Sequence, residues 1–299
     1  MLFRSGVAHL DVKHGPDSFS IFVDLKTGLL RRVLTMIDDP VLGNASLCTW
    51  FDDYVPTDGL QLPRRLTTTV DAFNAKTIDV ARYRINAALG EIGAPAQVRT
   101  AAIAPPSAPV TAEEVSAGVW ILGGGSYSSV LLEFSDHLVL IEAPLNGSRT
   151  AGLLAKIMEL RPNKPLRFLV HTSRYFESTG GVRAAIAAGL TVVSQQDNRT
   201  FLEKLVAAEH SLAPDALTLH PAPLRWEAVA DRKRLGDAAK PLELLHVQRD
   251  QLPNGLLAAY LPRERILIRS GNVGVPGDLP VGRIIDLNTS SGTLRTSGF

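Results

Sequence analysis

The stretch that decides the fold is "LVHTSRYFESTGG", Leu169 to Gly181. Its apolar opening reads as the end of a strand, it runs straight into a Gly-Gly pair, and the "GVRAAIAAG" behind it has helical spacing. That is the layout of an active-site loop, yet it holds one histidine, His171, and no aspartate.

On either side, from Val115 onward, the pattern is that of a mixed α/β unit. "GVWILGG", "SSVLLEFSD" and "HLVLIEAP" are three closely spaced strands, and "SRTAGLLAKIMELRP" has helical spacing. "PLRFLVHT" is a strand, "GVRAAIAAG" a helix, "LTVVSQ" a strand and "QDNRTFLEKLVAAEH" a helix. "PLELLHVQ", "GLLAAYLPRERILIRSG" and "RIIDLN" return to strands. Strand hairpins flanking strand–helix alternation predict a mixed sheet with helices on its outer face.

Towards the amino terminus the grammar changes. From about Val7 to Tyr83 the chain alternates in twos, with turn residues in "HGPDS", "KTG", "PTDG" and "FNAK", and predicts an antiparallel β domain over residues 1–87. Within it, "FDDYVPTDGLQLPRRLTT" is similar to the curved-sheet segment of bacterial lipoprotein-carrier-like domains. Residues 88–114 are rich in Ala and Pro and are expected to form a linker, leaving 115–299 as the second domain.

Bulk properties narrow the function. With 45% hydrophobic residues the chain can bury a sizeable core. Lys plus Arg total 31 against 30 Asp plus Glu, so no basic excess supports a nucleic-acid or anionic-membrane partner. No apolar run is long enough to span a bilayer, and "MLFRSGVAHLDV" lacks the pattern of a signal peptide, so a cytoplasmic location is expected. Cys48 is the one cysteine and is expected to be a small buried hydrophobe, which rules out a cysteine metal cluster.

The element order from "VWILGG" through "QQDNRTF", with Gly180 and Gly181 in place, resembles the metallo-β-lactamase superfamily. The resemblance implies a metallo-β-lactamase-like αββα sandwich, here preceded by an extra β domain. It also implies a zinc-binding H-x-H-x-D-H loop whose metals activate water. Laid onto this chain, the four liganding positions hold Ser173, Tyr175, Glu177 and Ser178. The next expected histidine falls at Gln195, the bridging aspartate near Ser270 or Gly271, and the remaining histidines near Leu252 and Asn288. None of the seven histidines lies at H-x-H or H-x-x-x-H spacing to another. The resemblance is therefore to a degenerate member, and neither metal nor other cofactor is expected.

The substituted loop still offers chemistry. Arg174 or Tyr175 could stabilise an oxyanion, and Glu177 or His171 could act as general base towards water or towards Ser173 or Ser178. On this reading the chain hydrolyses an activated ester, phosphotriester or lactone without metal. Tyr127 in the glycine-rich "GGGSYSS" hairpin, Gln195, and Arg249 and Asp250 in "HVQRDQLPNG" would line the substrate pocket. The alternative is a non-catalytic protein that binds a small molecule or protein partner; a zinc hydrolase with displaced ligands ranks last, and a homo-oligomer is compatible with each of these readings. Residue by residue the plainer roles are an Arg174–Glu177 ion pair, a Tyr175 plug, a structural His171 and a helix-capping Ser178.

Overall fold

The structure, a computed structural model, describes residues 6–15, 17–88, 93–100, 109–248, 254–270, 279–288 and 293–296. The chain divides into two compact units, Met1–Ile103 and Ala104–Phe299.

The first unit is a six-stranded antiparallel meander: β1 (Val7–His14), β2 (Asp17–Asp24), β3 (Leu30–Asp39), β4 (Gly43–Thr57), β5 (Leu60–Val70) and β6 (Phe73–Asp79). A single helical turn, α1 (Ala96–Arg99), follows. Alternation along the strands divides the sheet into two faces. One carries Ile21, Val33, Thr49 and Thr68 in register; the other carries the transverse row His9, Phe22, Arg32 and Trp50. Cys48 is buried, as its apolar setting implies. One sequence expectation fails here. "FNAK" is not a turn but the start of β6; the chain reverses at Asp71, whose φ of +48° and carboxylate bonds to the Ser46 N–H (2.7 Å) and hydroxyl (3.0 Å) fix the bend. "FDDY" lies inside β4, where Asp53 takes a left-handed φ of +53° between the pairs Asp52–Arg65 and Tyr54–Pro63, with no change of register.

The second unit contains two facing sheets. The first runs β13-β12-β11-β10-β9-β8-β7 in space, from β7 (Thr111–Ser116), β8 (Val119–Gly123), β9 (Ser129–Glu133), β10 (Leu138–Ile141), β11 (Leu166–His171), β12 (Thr191–Gln195) and β13 (Trp226–Val229). β7 to β10 pair antiparallel and β10 to β13 parallel. β7 begins inside the stretch expected to be linker, with Thr111 opposite Gly123. The parallel strands are joined through α2 (Gly147–Leu160), α3 (Phe176–Thr179), α4 (Val182–Ala187), α5 (Arg199–Ala207) and α6 (Ala216–Leu219). The second sheet runs β14 (Arg232–Gly236), β15 (Pro241–Val247), β16 (Leu256–Leu261), β17 (Ile266–Arg269), β18 (Arg283–Asp286) and β19 (Thr293–Thr296) in order, antiparallel except for β17 with β18.

Val130, Leu132, Val139, Ile141, Val170 and Val193 of the first sheet share one buried cluster with Leu242, Leu244, Leu257, Ala259, Ile266 and Ile268 of the second. The inward faces of two sheets thus form the core, as in a sandwich. The alternate residues Leu131, Leu138, Leu140 and Leu169 are equally buried on the first sheet's other face, where parallel crossovers place their helices. This is the metallo-β-lactamase type of architecture, with a separate β-sheet unit preceding it.

Two buried arginines hold the helical layer. Arg183 in α4 grips Asp215 with both Nε (2.7 Å) and Nη2 (3.0 Å), and its Nη1 donates to the carbonyls of Leu205 and Val206 at the end of α5. Arg149 in α2 donates to the carbonyls of Leu122, Gly123 and Gly124, fixing the glycine-rich hairpin between β8 and β9. No helix among the described residues is long and apolar enough to cross a membrane.

Candidate functional site

The loop after β11 is built by the ends of two parallel strands. The Glu142 N–H, just past β10, donates to the Val170 carbonyl (3.0 Å). The Glu142 carboxylate in turn accepts from the Thr172 N–H (2.7 Å) and the Thr172 hydroxyl. Glu142 is buried at a left-handed φ of +67°, and burial pushes its carboxyl up to about 8, only partly offset by the two Thr172 bonds. Among the described residues its Oε2 has no hydrogen-bond partner.

The Gly-Gly pair has a packing reason of its own. A Cβ on Gly180 would lie 2.0 Å from the Leu145 carbonyl oxygen, and one on Gly181 would lie 2.0 Å from Thr150 Oγ1. The segment after β10 therefore passes too close for any side chain at either position.

Ser173 and Ser178 face each other across the loop, fully buried, with Ser173 Oγ donating to Ser178 Oγ at 3.0 Å. Ser178 Oγ lies 3.2 Å from Ser270 Oγ, and Ser270 Oγ donates to Asn288 Oδ1 at 3.2 Å. Positions 173, 178, 270 and 288, far apart in sequence, meet in one hydroxyl chain that runs from the interior to the exposed Asn288. Ser178 does not cap a helix: it lies within α3, and no side chain caps α4.

The other expected site residues turn elsewhere. His171 is fully buried and its Nε2 meets Thr179 Oγ1 at 3.1 Å. Thr179 donates its own proton to the Tyr175 carbonyl (2.8 Å), so His171 carries its proton on Nε2, and among the described residues Nδ1 has no partner. Burial, with the Arg174 charge adding to it, brings the His171 imidazole down to about 4, keeping it neutral. Arg174 does not pair with Glu177; it donates to the Asn254 carbonyl ahead of β16 (2.8 Å). Tyr175 packs on a cluster of Val247, Leu256, Ala258, Tyr260 and Leu267, the residues of the second sheet that alternate with its inward face. Gln195 is buried and accepts from the Asp197 N–H at 2.6 Å, capping the 3-10 turn Gln196–Asn198. Glu177 is exposed. Tyr127 precedes Ser128, whose N–H donates to the Leu287 carbonyl (2.8 Å), and burial, then Glu177 and Glu142, push its phenol up. Arg249 and Asp250 lie outside the described residues.

Glu142, Thr172 and Thr179 are site residues that motif spacing misses. The available signal was Glu142 itself, a carboxylate closing the apolar run "HLVLIEAP".

Zinc needs three or four imidazole, thiolate or carboxylate donors converging on one point. The family's ligand positions here hold hydroxyls that bond one another, a tyrosine turned away and an exposed glutamate. Among the described residues no three His, Cys, Asp or Glu side chains come together in a way that could hold a metal ion. The residues present do not fit the family's metal.

No protein-family model matches the chain, and no curated protein matches it in sequence. Similar solved structures are metallo-β-lactamases. One from Pontibacter korlensis is 16% identical over 62% of this chain and 93% of its own, with a TM-score of 0.44. FIM-1 from Pseudomonas aeruginosa, in its mono-zinc form, is 17% identical over 64% and 92%, with a TM-score of 0.46. One from Hirschia baltica is 17% identical over 63% and 93%, with a TM-score of 0.44.

Proposed function

We propose that this chain is a non-hydrolytic protein of metallo-β-lactamase architecture that acts by binding a small molecule or partner. The hydroxyl chain from Ser173 to Asn288 supports this reading. The groups standing at ligand positions hydrogen-bond one another, and among the described residues neither Ser173 nor Ser178 contacts a base. A serine nucleophile needs a base within hydrogen-bond reach, and the nearby imidazole is committed to Thr179.

The test is a panel of activated esters, lactones, phosphotriesters and β-lactams, run in chelator and again with added zinc. No turnover above buffer is expected in either arm. Turnover abolished by Ser173→Ala or Glu177→Gln would overturn the proposal.

One observation favours metal-independent hydrolysis as a second reading: among the described residues, His171 Nδ1 and Glu142 Oε2 are two buried atoms without partners beside the same loop. Under it, chelator-resistant ester turnover falls at least tenfold in Tyr175→Phe and in His171→Asn.

A further inference from the structure

We propose that the groove on the mixed face of the N-terminal sheet binds a small amphiphilic carboxylate, with Arg32 as the anion-binding group. The groove has a volume of about 880 Å³, and its lining includes Val7, His9, Phe22, Leu25, Arg32 and Trp50. It lies wholly within the first unit and is independent of whether the hydroxyl site of the second unit is catalytic.

Strand register builds the site. His9, Phe22, Arg32 and Trp50 are successive cross-strand neighbours on β1 to β4. The His9 and Phe22 rings stack with centroids 4.6 Å apart and planes 1° apart. The Arg32 guanidinium carbon stands 4.0 Å from the Phe22 ring centre and 4.9 Å from that of Trp50. Cation–π contact uses the guanidinium's faces, whereas its five N–H donors lie in its plane. Among the described residues those donors have no hydrogen bond and no ion pair, although Arg32 is half-buried. A planar acceptor with two oxygens fits that fork.

Charge points the same way. Arg31 lines the same groove and adds a second cation. Asp24, which feels the Arg31 charge, spends Oδ1 on the Lys26 and Thr27 N–H groups and the Thr27 hydroxyl. Asp11 is taken by His9 (3.0 Å) and Ser20 (2.8 Å). The groove therefore joins ring and aliphatic surface to an unmatched guanidinium, and that combination selects an apolar body carrying one carboxylate.

The experiment titrates the full chain with phenylacetate and with decanoate, each beside its neutral amide, following tryptophan fluorescence and heat. The two acids distinguish an aromatic from an aliphatic body. At least one acid is expected to bind tenfold or more tightly than its amide. Arg32→Gln should remove that preference, and Arg32→Lys, which keeps the charge without the fork, should retain part of it. Equal binding of acid and amide, no binding of either acid up to about 10 mM, or an undiminished preference in a folded Arg32→Gln would overturn the proposal. Where that variant does not fold, the acid–amide contrast in the unmodified chain decides alone.

Discussion

The Thr150 hydroxyl donates to the Gly181 carbonyl at 3.2 Å, and a Cβ added to Gly181 would stand 2.0 Å from that same hydroxyl oxygen. The first turn of α2 and the start of α4 meet at this point through a side chain-to-backbone contact. Gly181→Ala should therefore force the two apart, with an overpacking cost of about 1–3 kcal/mol. The check is the thermal midpoint, which should fall by several degrees without any change in metal content.

Ser178 is the central member of the hydroxyl chain, touching both Ser173 and Ser270. Ser178→Ala leaves the Ser173 proton without an acceptor in a buried site, costing about 1–3 kcal/mol. Urea unfolding should show a lowered midpoint at unchanged slope. Full wild-type stability would mean the contacts between these hydroxyls contribute nothing.

Two buried groups give stability opposite pH trends. Glu142 is raised to about 8 in the fold against an ordinary 4.5, so the folded state holds a proton the unfolded chain releases. Its contribution is fully present below about 4.5 and is lost as pH rises towards 8. His171 is lowered to about 4 against 6.5, so its contribution is present above 6.5 and lost as pH falls through 4. Glu142→Gln should flatten the alkaline side of a plot of unfolding free energy against pH, and His171→Asn the acid side. A wild-type curve flat from pH 4 to 8, unchanged in both variants, would contradict these assignments.

Arg183 is buried against Asp215, whose carboxyl its guanidinium and Thr218 hold well below the usual range. Removing one partner of such a pair strands the other, at about 3–5 kcal/mol. Arg183→Met should give a large loss of stability, and Arg183→Met combined with Asp215→Leu a smaller one. A double-mutant cycle read by denaturant unfolding separates the two.

The fold was legible because its signals are local. Alternating apolar runs such as "VLLEF" and "LVLIE" declare strands, and "AGLLAKIMEL" declares a helix independently of what the loops carry. The turn at Asp71 escaped because "FNAK" has turn-like composition, while a side-chain bond to Ser46, 25 residues away, sets the bend. In the candidate site, spacing located Ser173, Ser178 and the neighbourhoods of Ser270 and Asn288. It could not assign direction to a side chain. Gln195 and Tyr175 sit at ligand positions yet point to a local cap and to the second sheet's other cluster. Glu142 contacts Thr172 across strands, a relationship no motif records.

The hydroxyl chain also has a polarity. Asn288 Oδ1 can only accept, so Ser270 must donate to it, Ser178 must donate to Ser270, and Ser173 to Ser178. The O–H dipoles all align outward, leaving Ser173 Oγ at the inner end with lone pairs and no proton to give. A polar group meeting that inner end would find a hydrogen-bond acceptor, so the chain favours ammonium or amide N–H groups there over anions.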